Sequence, residues 1–315
     1  MKDRLPIADC RLPIAARSGG TARSPVSIVN RKSKIVNGFT LVEVLVVMTL
    51  LSLIVLVLMA VFNSTQTAFR AGVTQSGVLE SGRAAMDLMA ADLRAMSPSL
   101  DTNNGAVNFS AVIPSGYTPL KQPLLASIPA QSRTNVQENI FILSRQNQTW
   151  TGVGYVVANS SQGDLDSLYR FTMTTNVQAA GAAAALYNIF RTTPPADMSH
   201  LMDGVVSLTV RAYDVNGGWM TNHVVFTGGQ VATNKNVYFF LPATFGETGF
   251  DMFSNTLPAS VQIEMGVLED RALQRAESLS ASPSAQASYL QQQAGAVHVF
   301  RQRVSIPNVD PSAYQ

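Results

Sequence analysis

The sequence predicts an α+β fold, in which one long N-terminal helix is followed by a mostly antiparallel β-sheet domain. Residues 39–62 form an apolar run with a single charged residue, and an apolar stripe continues the helical pattern toward residue 97. From about residue 138, short β-branched and aromatic runs alternate with polar turns. The 315 residues, 46% of them apolar, are enough for one large domain or two small ones.

Positive charge is concentrated at the start of the chain. Residues 1–38 contain eight Lys or Arg and two Asp, a net charge of +6, whereas residues 39–315 contain 14 basic and 18 acidic residues, a net charge of −4. Nucleic acid is therefore not an expected partner of the rest of the chain. The single cysteine, Cys10, cannot form an internal disulfide, and no cysteine cluster exists for zinc. No apolar run precedes Cys10, which argues against a lipoprotein signal.

The apolar run at residues 39–62 has the length of a membrane span. Its 24 residues contain neither Gly nor Pro, and as a helix they extend about 36 Å, enough for a hydrocarbon core of about 30 Å. Composition alone also fits an ordinary signal-anchor. A cleaved secretory signal fits less well, since its apolar region usually has about 7–15 residues. The basic residues before the run predict a single pass with a cytoplasmic N-terminus and an exported C-terminal part.

Glu43 is the one charged residue of this run. A carboxylate inside a membrane span is costly and usually functional, so it calls for a cationic partner. No Lys or Arg lies nearby on the apolar side. Cleavage between Gly38 and Phe39 would create a partner, because the new α-amine of Phe39 would lie one helical turn from Glu43. In a bundle of identical helices this amine could also reach the Glu43 of a neighbour.

The stretch KIVNGFTLVEVLVVMTLLSLIVLVLMAVF resembles the prepilin-type segment of type IV pilins and type II secretion pseudopilins. The matching residues are Gly38, Phe39, Thr40, Leu41 and Glu43. The resemblance implies a pilin-like fold, cleavage after Gly38 by a prepilin peptidase and N-methylation of Phe39. It also implies that Glu43 helps to recruit the subunit into a filament. The implied partners are the peptidase, other pilins or pseudopilins, the inner-membrane assembly machinery and membrane lipid, with no cofactor.

The predicted segments follow from these patterns. They are a basic leader (1–38), a transmembrane helix (39–62), a continuing amphipathic helix (63–97), a linker (98–135), an exported β-rich domain (136–306) with a helical insertion near 271–294, and a tail (307–315). In the amphipathic helix, two rows of residues repeat every seven positions: Leu79, Met86 and Leu93, and Gly82, Met89 and Met96. We expect this stripe to pack on its own domain, and the alternative is packing against other subunits.

Eight segments of the C-terminal half read as strands. They are NIFILS, GYVVAN, LYRFTM, YNIFRT, GVVSLTVRAYD, NVYFFL, SVQIEMGVLE and AVHVFRQRVSIP. The segment VNGGW is a hairpin turn leading into a further strand, WMTNHVVF. The order LMDGVVSLTVRAYDVNGGW, LPASVQIEMGVLED and VHVFRQRVSIP is similar to the J-type minor pseudopilins of type II secretion. The loops are longer than this resemblance implies, which leaves a related pilin-like protein of a Verrucomicrobia-type cassette as the alternative.

Motifs for catalysis or metal binding are missing from the sequence. His200, His223 and His298 are far apart and lack metal-ligand spacing. Asp164 and Asp166 could offer oxygens to calcium, but a solvated turn is the favoured interpretation. The sequence thus predicts a structural subunit without catalysis. The alternative is a membrane-anchored binding or enzymatic domain that uses a prepilin leader only for sorting.

The leader contains two short repeats, RLPIA at 4–8 and 11–15 and IVN at 28–30 and 35–37. Pro6 and Pro13 oppose a helix there. A start at position 29 would keep Arg31, Lys32 and Lys34, enough charge for orientation. We therefore expect residues 1–28 to be dispensable or untranslated, with a long natural leader as the alternative.

Overall fold

The computed structural model describes residues 39–314, apart from 102–104, 124–130, 159–165, 180, 221–224, 228–229, 233–235 and 245–246. The predicted leader, with Cys10 and Gly38, lies outside the described residues. The chain divides into two compact units, Met1–Val61 and Phe62–Gln315.

One long helix, α1, runs from Leu41 to Arg94. In the first unit, the side chains of residues 39–61 are all exposed. The segment Leu41–Phe69, with a mean hydropathy of 3.1, is the one helix in the described part of the chain that is long and apolar enough to cross a membrane. This confirms the prediction of an N-terminal apolar helix and fits a membrane-anchored protein.

In the second unit, the C-terminal part of α1 packs on a β-sheet. The apolar side chains that it buries are Val78, Ala85, Met86, Met89, Ala90 and Leu93, followed by Met96 just after the helix. The predicted stripe therefore packs within its own domain. It was wrong at its first position, because Leu79 is 40% exposed and the neighbouring Val78 is buried instead.

The second unit contains thirteen described strands and three further α-helices. The strands are β1 (Val107–Val112), β2 (Leu120–Pro123), β3 (Ser132–Asn135), β4 (Asn139–Gln146), β5 (Thr149–Ala158), β6 (Asp166–Asn176), β7 (Ser199–Tyr213), β8 (Val225–Thr227), β9 (Gln230–Ala232), β10 (Val237–Thr244), β11 (Glu247–Phe253), β12 (Ser260–Leu268) and β13 (Val297–Ser305). The helices are α2 (Ala182–Thr192), α3 (Asp270–Glu277) and α4 (Pro283–Gln291).

Nine of these strands form one sheet in the order β10-β11-β1-β4-β5-β6-β7-β12-β13. Every strand pair in it is antiparallel. The strands β2 and β3 form a separate hairpin, as do β8 and β9. A long apolar helix followed by a mostly antiparallel sheet domain is the predicted α+β architecture, and the fold class is confirmed.

The two faces of the sheet are covered by different helices. Side chains such as Tyr155, Leu208 and Ile263 point to the face on which α1 packs. On the opposite face, α2 packs over β4, β5 and β6. Also on this side, α3 and α4 join the β2–β3 hairpin in a small cluster with Val206 and Leu268. The predicted helical insertion is thus two short helices, the second of which begins at Pro283, a favourable first position for proline.

The predicted linker at 98–135 was wrong, because it contains β1, β2 and β3. Strand β1 lies inside the main sheet, between β11 and β4. Its residues VNFSAV do alternate between apolar and polar types, but the run is short, and its polar residues are buried as well as its apolar ones. Asn108 is fully buried and donates from Nδ2 to the carbonyls of Ser254 and Thr256. Buried polar groups with hydrogen-bond partners are tolerated in a core.

The predicted strand YNIFRT was also wrong, because Tyr187–Thr192 form the second half of α2. The preceding alanines favour a helix. Leu186 and Phe190, four residues apart and therefore on one helix face, are buried against the sheet. Tertiary packing of this face overrides the strand preference of the aromatic and β-branched residues.

The predicted strand WMTNHVVF lies partly outside the described residues, because 221–224 are not described. At its start, Trp219 forms an isolated bridge with Tyr213, and at its end, Val225 and Phe226 are extended in β8. The predicted turn VNGGW, which follows β7, lies at the expected position. The Asp214 backbone N–H donates to the Gly218 carbonyl, and Gly217 adopts φ 80°. A positive φ at this position favours glycine.

Candidate processing and assembly site

The first turn of α1 is closed by two residues that cap each other. The Glu43 Oε2 atom accepts the Thr40 backbone N–H at 2.9 Å and the Thr40 hydroxyl at 3.0 Å. In return, Thr40 Oγ1 accepts the Glu43 backbone N–H at 3.3 Å. The Val44 N–H then donates to the Thr40 carbonyl, which starts the helical hydrogen-bond ladder. This is a capping box, with Thr40 at the N-cap and Glu43 three residues later.

The capping box gives Glu43 a role that the sequence analysis missed. The signal was present, since Thr-x-x-Glu before an apolar run is the signature of such a helix start. A carboxylate at a helix N-terminus is also favoured by the helix dipole. The cost of placing this charge in an apolar segment is therefore lowered by hydrogen bonds within its own chain. The predicted pairing with the α-amine of a cleaved Phe39 concerns the processed chain and remains a prediction.

The structure brings four of the five predicted site residues together. Phe39 and Thr40 precede α1, Leu41 is its first residue, and Glu43 lies in its first turn. The fifth, Gly38, lies outside the described residues. Phe39 and Leu41 are 85% and 82% exposed. The site is thus an exposed helix start rather than a pocket.

A second polar cluster ties α1 to the sheet. Arg170 on β6 donates from Nε and Nη2 to the two carboxylate oxygens of Asp92, both at 3.0 Å. The Tyr155 hydroxyl on β5 donates to the same carboxylate. Burial, followed by the nearby Asp92, raises the pKa of Tyr155, so its hydroxyl remains protonated. This cluster explains how the C-terminal part of α1 is held in register on its sheet.

A third carboxyl group, that of Glu138, is buried and contacts no charged side chain among the residues that the structure describes. Glu138 is 1% exposed, and its Oε2 atom accepts the Val210 N–H at 2.6 Å. Its Oε1 atom has no hydrogen-bond partner among the described residues. Burial raises the pKa of Glu138 to about 8. Glu138 is therefore largely protonated at neutral pH and acts as a neutral core residue.

The other candidate residues do not converge. His200 contacts Asp203, with 2.7 Å between Nε2 and Oδ1, at an exposed position, and His298 lies in β13. His223 and Asp164 lie outside the described residues. Asp166 begins β6 and is 9% exposed, so it does not occupy the solvated turn that we expected. Within the described ranges, no three His, Cys, Asp or Glu side chains are grouped to hold a metal ion.

One family model matches the chain: the prokaryotic N-terminal methylation motif covers residues 34–59. No curated protein and no solved structure matches the chain significantly. The motif contains the capping box and most of the apolar segment, and it includes position 38, after which cleavage was predicted. Residues 34–59 thus match the N-terminal methylation motif at the place where the resemblance to prepilin-type segments was identified.

Proposed function

We propose that the protein is a minor pseudopilin or pilin-like structural subunit without catalysis of its own. A prepilin peptidase cleaves it after Gly38 and N-methylates Phe39, and it then assembles into a type II secretion pseudopilus or a type IV pilus-like filament. The observation that carries this proposal is the methylation motif at residues 34–59 on an exposed helix of membrane-spanning length. The length of the chain favours a minor role, because major pilins are usually shorter.

The charge distribution supports one orientation. Residues 1–38 carry a net charge of +6. Because basic segments tend to remain in the cytoplasm, the N-terminus is cytoplasmic before cleavage. The sheet domain is then extracytoplasmic, and the inner-membrane machinery adds the subunit to the filament from the lipid phase.

The finer assignment is to the J-type minor pseudopilins or to a related Verrucomicrobia-type cassette. The resembling segments fall on β7 with its turn, on β12 and on β13. These three strands are neighbours in the sheet. Their adjacency supports a common origin of the three segments as one structural unit.

Mass spectrometry of the N-terminus of the membrane-extracted protein tests processing. We expect a chain that begins with N-methylated Phe39 in cells with an active prepilin peptidase and an intact leader in cells without it. Gly38→Ala should slow cleavage, because a side chain hinders a peptidase that accepts glycine. If intact peptides spanning Lys34–Thr40 dominate in cells with active peptidase, the processing proposal is wrong.

Glu43→Leu tests assembly. We expect membrane insertion to be unchanged or slightly improved, because the variant lacks a charge in the apolar segment. Incorporation into filaments, measured by cross-linking to neighbouring subunits, should fall sharply. Thr40→Val is the matched control, since it weakens the cap and keeps the carboxylate. If Glu43→Leu assembles as well as the wild type, the assembly role is wrong. If correctly processed wild-type protein never enters filaments, the chain is instead an anchored domain that uses the leader only for sorting.

A further inference from the structure

The last strands of the sheet carry a polar surface that the proposed filament function does not use. We call it the arginine face and define it by Arg211, Tyr213, Trp219, Gln262 and Arg303. Gln262 on β12 lies opposite Arg211 on β7 and opposite Arg303 on β13. Directly opposed residues of antiparallel strands point to the same face, so these three side chains form a row across the sheet. Trp219 follows in the turn after β7.

Arg303 is held in place without being neutralised. Its guanidinium carbon lies 3.9 Å from the centre of the Tyr213 ring, and its Nε–H donates to Ser260 Oγ at 2.9 Å. Arg303 is exposed on β13, the edge strand of the sheet. Within the described ranges, no carboxylate forms an ion pair with it. Its terminal N–H groups therefore remain available in a fixed orientation.

The neighbouring cations differ from Arg303 in this respect. Arg301, two residues earlier on the same strand, donates from Nε and Nη2 to Glu264 at 2.9 and 2.5 Å. Arg211 forms an ion pair with Glu247 at 2.5 Å. The nearby Asp214 carboxylate accepts two backbone N–H groups of its own turn. Arg303 is thus the cation of this face whose charge has no partner in the described structure.

Exposed apolar side chains belong to the turn that follows Arg211 and Tyr213 on β7. Trp219 is 39% exposed, and the guanidinium of Arg211 lies 4.9 Å from its ring centre. Val215, in the same turn, is 45% exposed. Arginine, tyrosine and tryptophan are the residues enriched at the centres of protein–protein interfaces. The apolar neighbours distinguish the face from a site for a small free anion, which would gain nothing from them.

We propose that the arginine face binds an acidic segment of a partner protein. A carboxylate of that segment pairs with the planar fork of Arg303, which matches carboxylate geometry with two parallel hydrogen bonds. The stacking on Tyr213 reduces the conformational entropy lost on binding. An apolar residue of the segment covers Trp219. The inference does not depend on filament assembly.

Binding of a labelled acidic peptide to the full-length protein in detergent micelles tests the proposal. The probe is a synthetic hexapeptide of alternating Glu and Leu, and fluorescence anisotropy gives its Kd. We expect Arg303→Gln to weaken binding at least about tenfold, as for the loss of charged hydrogen bonds. Arg301→Gln is the matched control on the same strand and face, and it should change Kd by less than about threefold, because Glu264 already holds Arg301. Trp219→Ala should also weaken binding.

Three results would overturn the proposal. The first is a failure of the wild-type protein to bind the acidic peptide. Equal binding of a control peptide, in which Lys replaces each Glu, would have the same meaning. The second is an equal loss for Arg301→Gln and Arg303→Gln, which would indicate attraction by charge in general. The third is displacement of the peptide by equimolar inorganic phosphate, which would indicate a simple anion site. Unchanged thermal unfolding of both variants ensures that a loss of binding is not a loss of fold.

Discussion

Two carboxylates of the same helix are held in opposite ways. The Glu43 carboxylate, in the first turn of α1, accepts hydrogen bonds from Thr40, three residues away. Asp92, in the last turn, bonds with Tyr155 and Arg170, which are 63 and 78 residues away along the chain. Glu43 lies among exposed side chains, and Asp92 lies where the helix packs on its sheet.

The difference shows which part of α1 depends on the rest of the fold. A capping box stabilises only the helix turn that contains it. A charge paired with residues of distant strands holds a helix in a tertiary position. Mutations at the two carboxylates should therefore separate local helix formation from the stability of the sheet domain.

Asp92→Ala should give the largest loss of stability. It leaves the Arg170 guanidinium and the Tyr155 hydroxyl without their shared partner in a largely buried position. Breaking such a pair costs about 3–5 kcal/mol, or a fall in Tm of roughly 6–20 °C for a domain of this size. Thermal unfolding of the full chain in micelles measures this. Asp87→Ala, at an exposed position of the same helix, is the control and should change Tm little. Equal effects of the two variants would contradict a specific role for Asp92.

Glu138 differs from both Glu43 and Asp92, because its buried carboxyl group accepts one backbone N–H and forms no ion pair among the described residues. Its effect on the stability of the domain should depend on pH. The folded-state pKa of about 8 lies above the ordinary value of 4.5, so the folded protein binds a proton that the unfolded chain releases. Its contribution to stability is therefore full below about pH 4.5 and is lost as the pH rises toward 8.

Glu138→Gln keeps the neutral shape and should remove this dependence. We expect the variant to be more stable than the wild type at pH 8 by on the order of 3 kcal/mol, and the difference to shrink toward pH 5. Urea unfolding at several pH values checks this. A difference that is the same at pH 5 and pH 8 would show that Glu138 does not titrate in this range.

Two glycines of α1 offer a finer comparison. A Cβ at Gly82 would lie 2.4 Å from the Phe300 ring, whereas nothing lies within 4 Å of a Cβ at Gly72. Gly82→Leu should therefore destabilise the domain by about 1–3 kcal/mol through overpacking. Gly72→Leu should leave stability unchanged or raise it by up to about 1 kcal/mol, because leucine favours a helix. Chemical denaturation distinguishes them, and a loss of the same size at both positions would contradict the packing of α1 on β13.

Thr40→Ala should have the smallest effect, confined to the first turn. Loss of an N-cap costs about 1 kcal/mol, so the backbone N–H groups of the first turn should exchange with solvent several times faster. Hydrogen exchange measured by NMR in micelles detects this. Thr40→Ser restores the cap, and Thr49→Ala, whose hydroxyl bonds to the Val46 carbonyl inside the helix, should not affect the first turn. A fall in Tm of the whole domain would contradict a purely local role.

The parts of the fold with a clear period could be predicted from the sequence. The stripe at Met86, Met89 and Leu93 and the alternating strand β7 have regular apolar spacing, which follows directly from helix and strand geometry. The apolar start of α1 could be predicted from the length of its uninterrupted apolar run. The capping box could have been predicted too, because its two residues are three apart in sequence. The motif at residues 34–59 was identified from the order of a few residue types at its start.

The remainder depends on contacts that sequence spacing does not reveal. Strand β1 carries Asn108 and Ser110 at buried positions, and their partners lie on distant segments. Helix α2 joins alanines, which favour a helix, to aromatic and β-branched residues, which favour strands, and its packing on the sheet decides between the two. The partners of Asp92 and Arg303 are likewise set by strand register, which no local pattern specifies.

The glycines beneath α2 link two distant parts of the chain. Phe190 lies over Gly154, where a Cβ would come within 2.2 Å of its ring, and Leu186 lies over Gly152, with a Cβ distance of 3.1 Å. Here the helix supplies the side chains that β5 lacks. Relatives of this protein should therefore vary at these positions in pairs: a larger residue at 154 should accompany a smaller one at 190. A relative that loses the α2 segment should have side chains in place of both glycines.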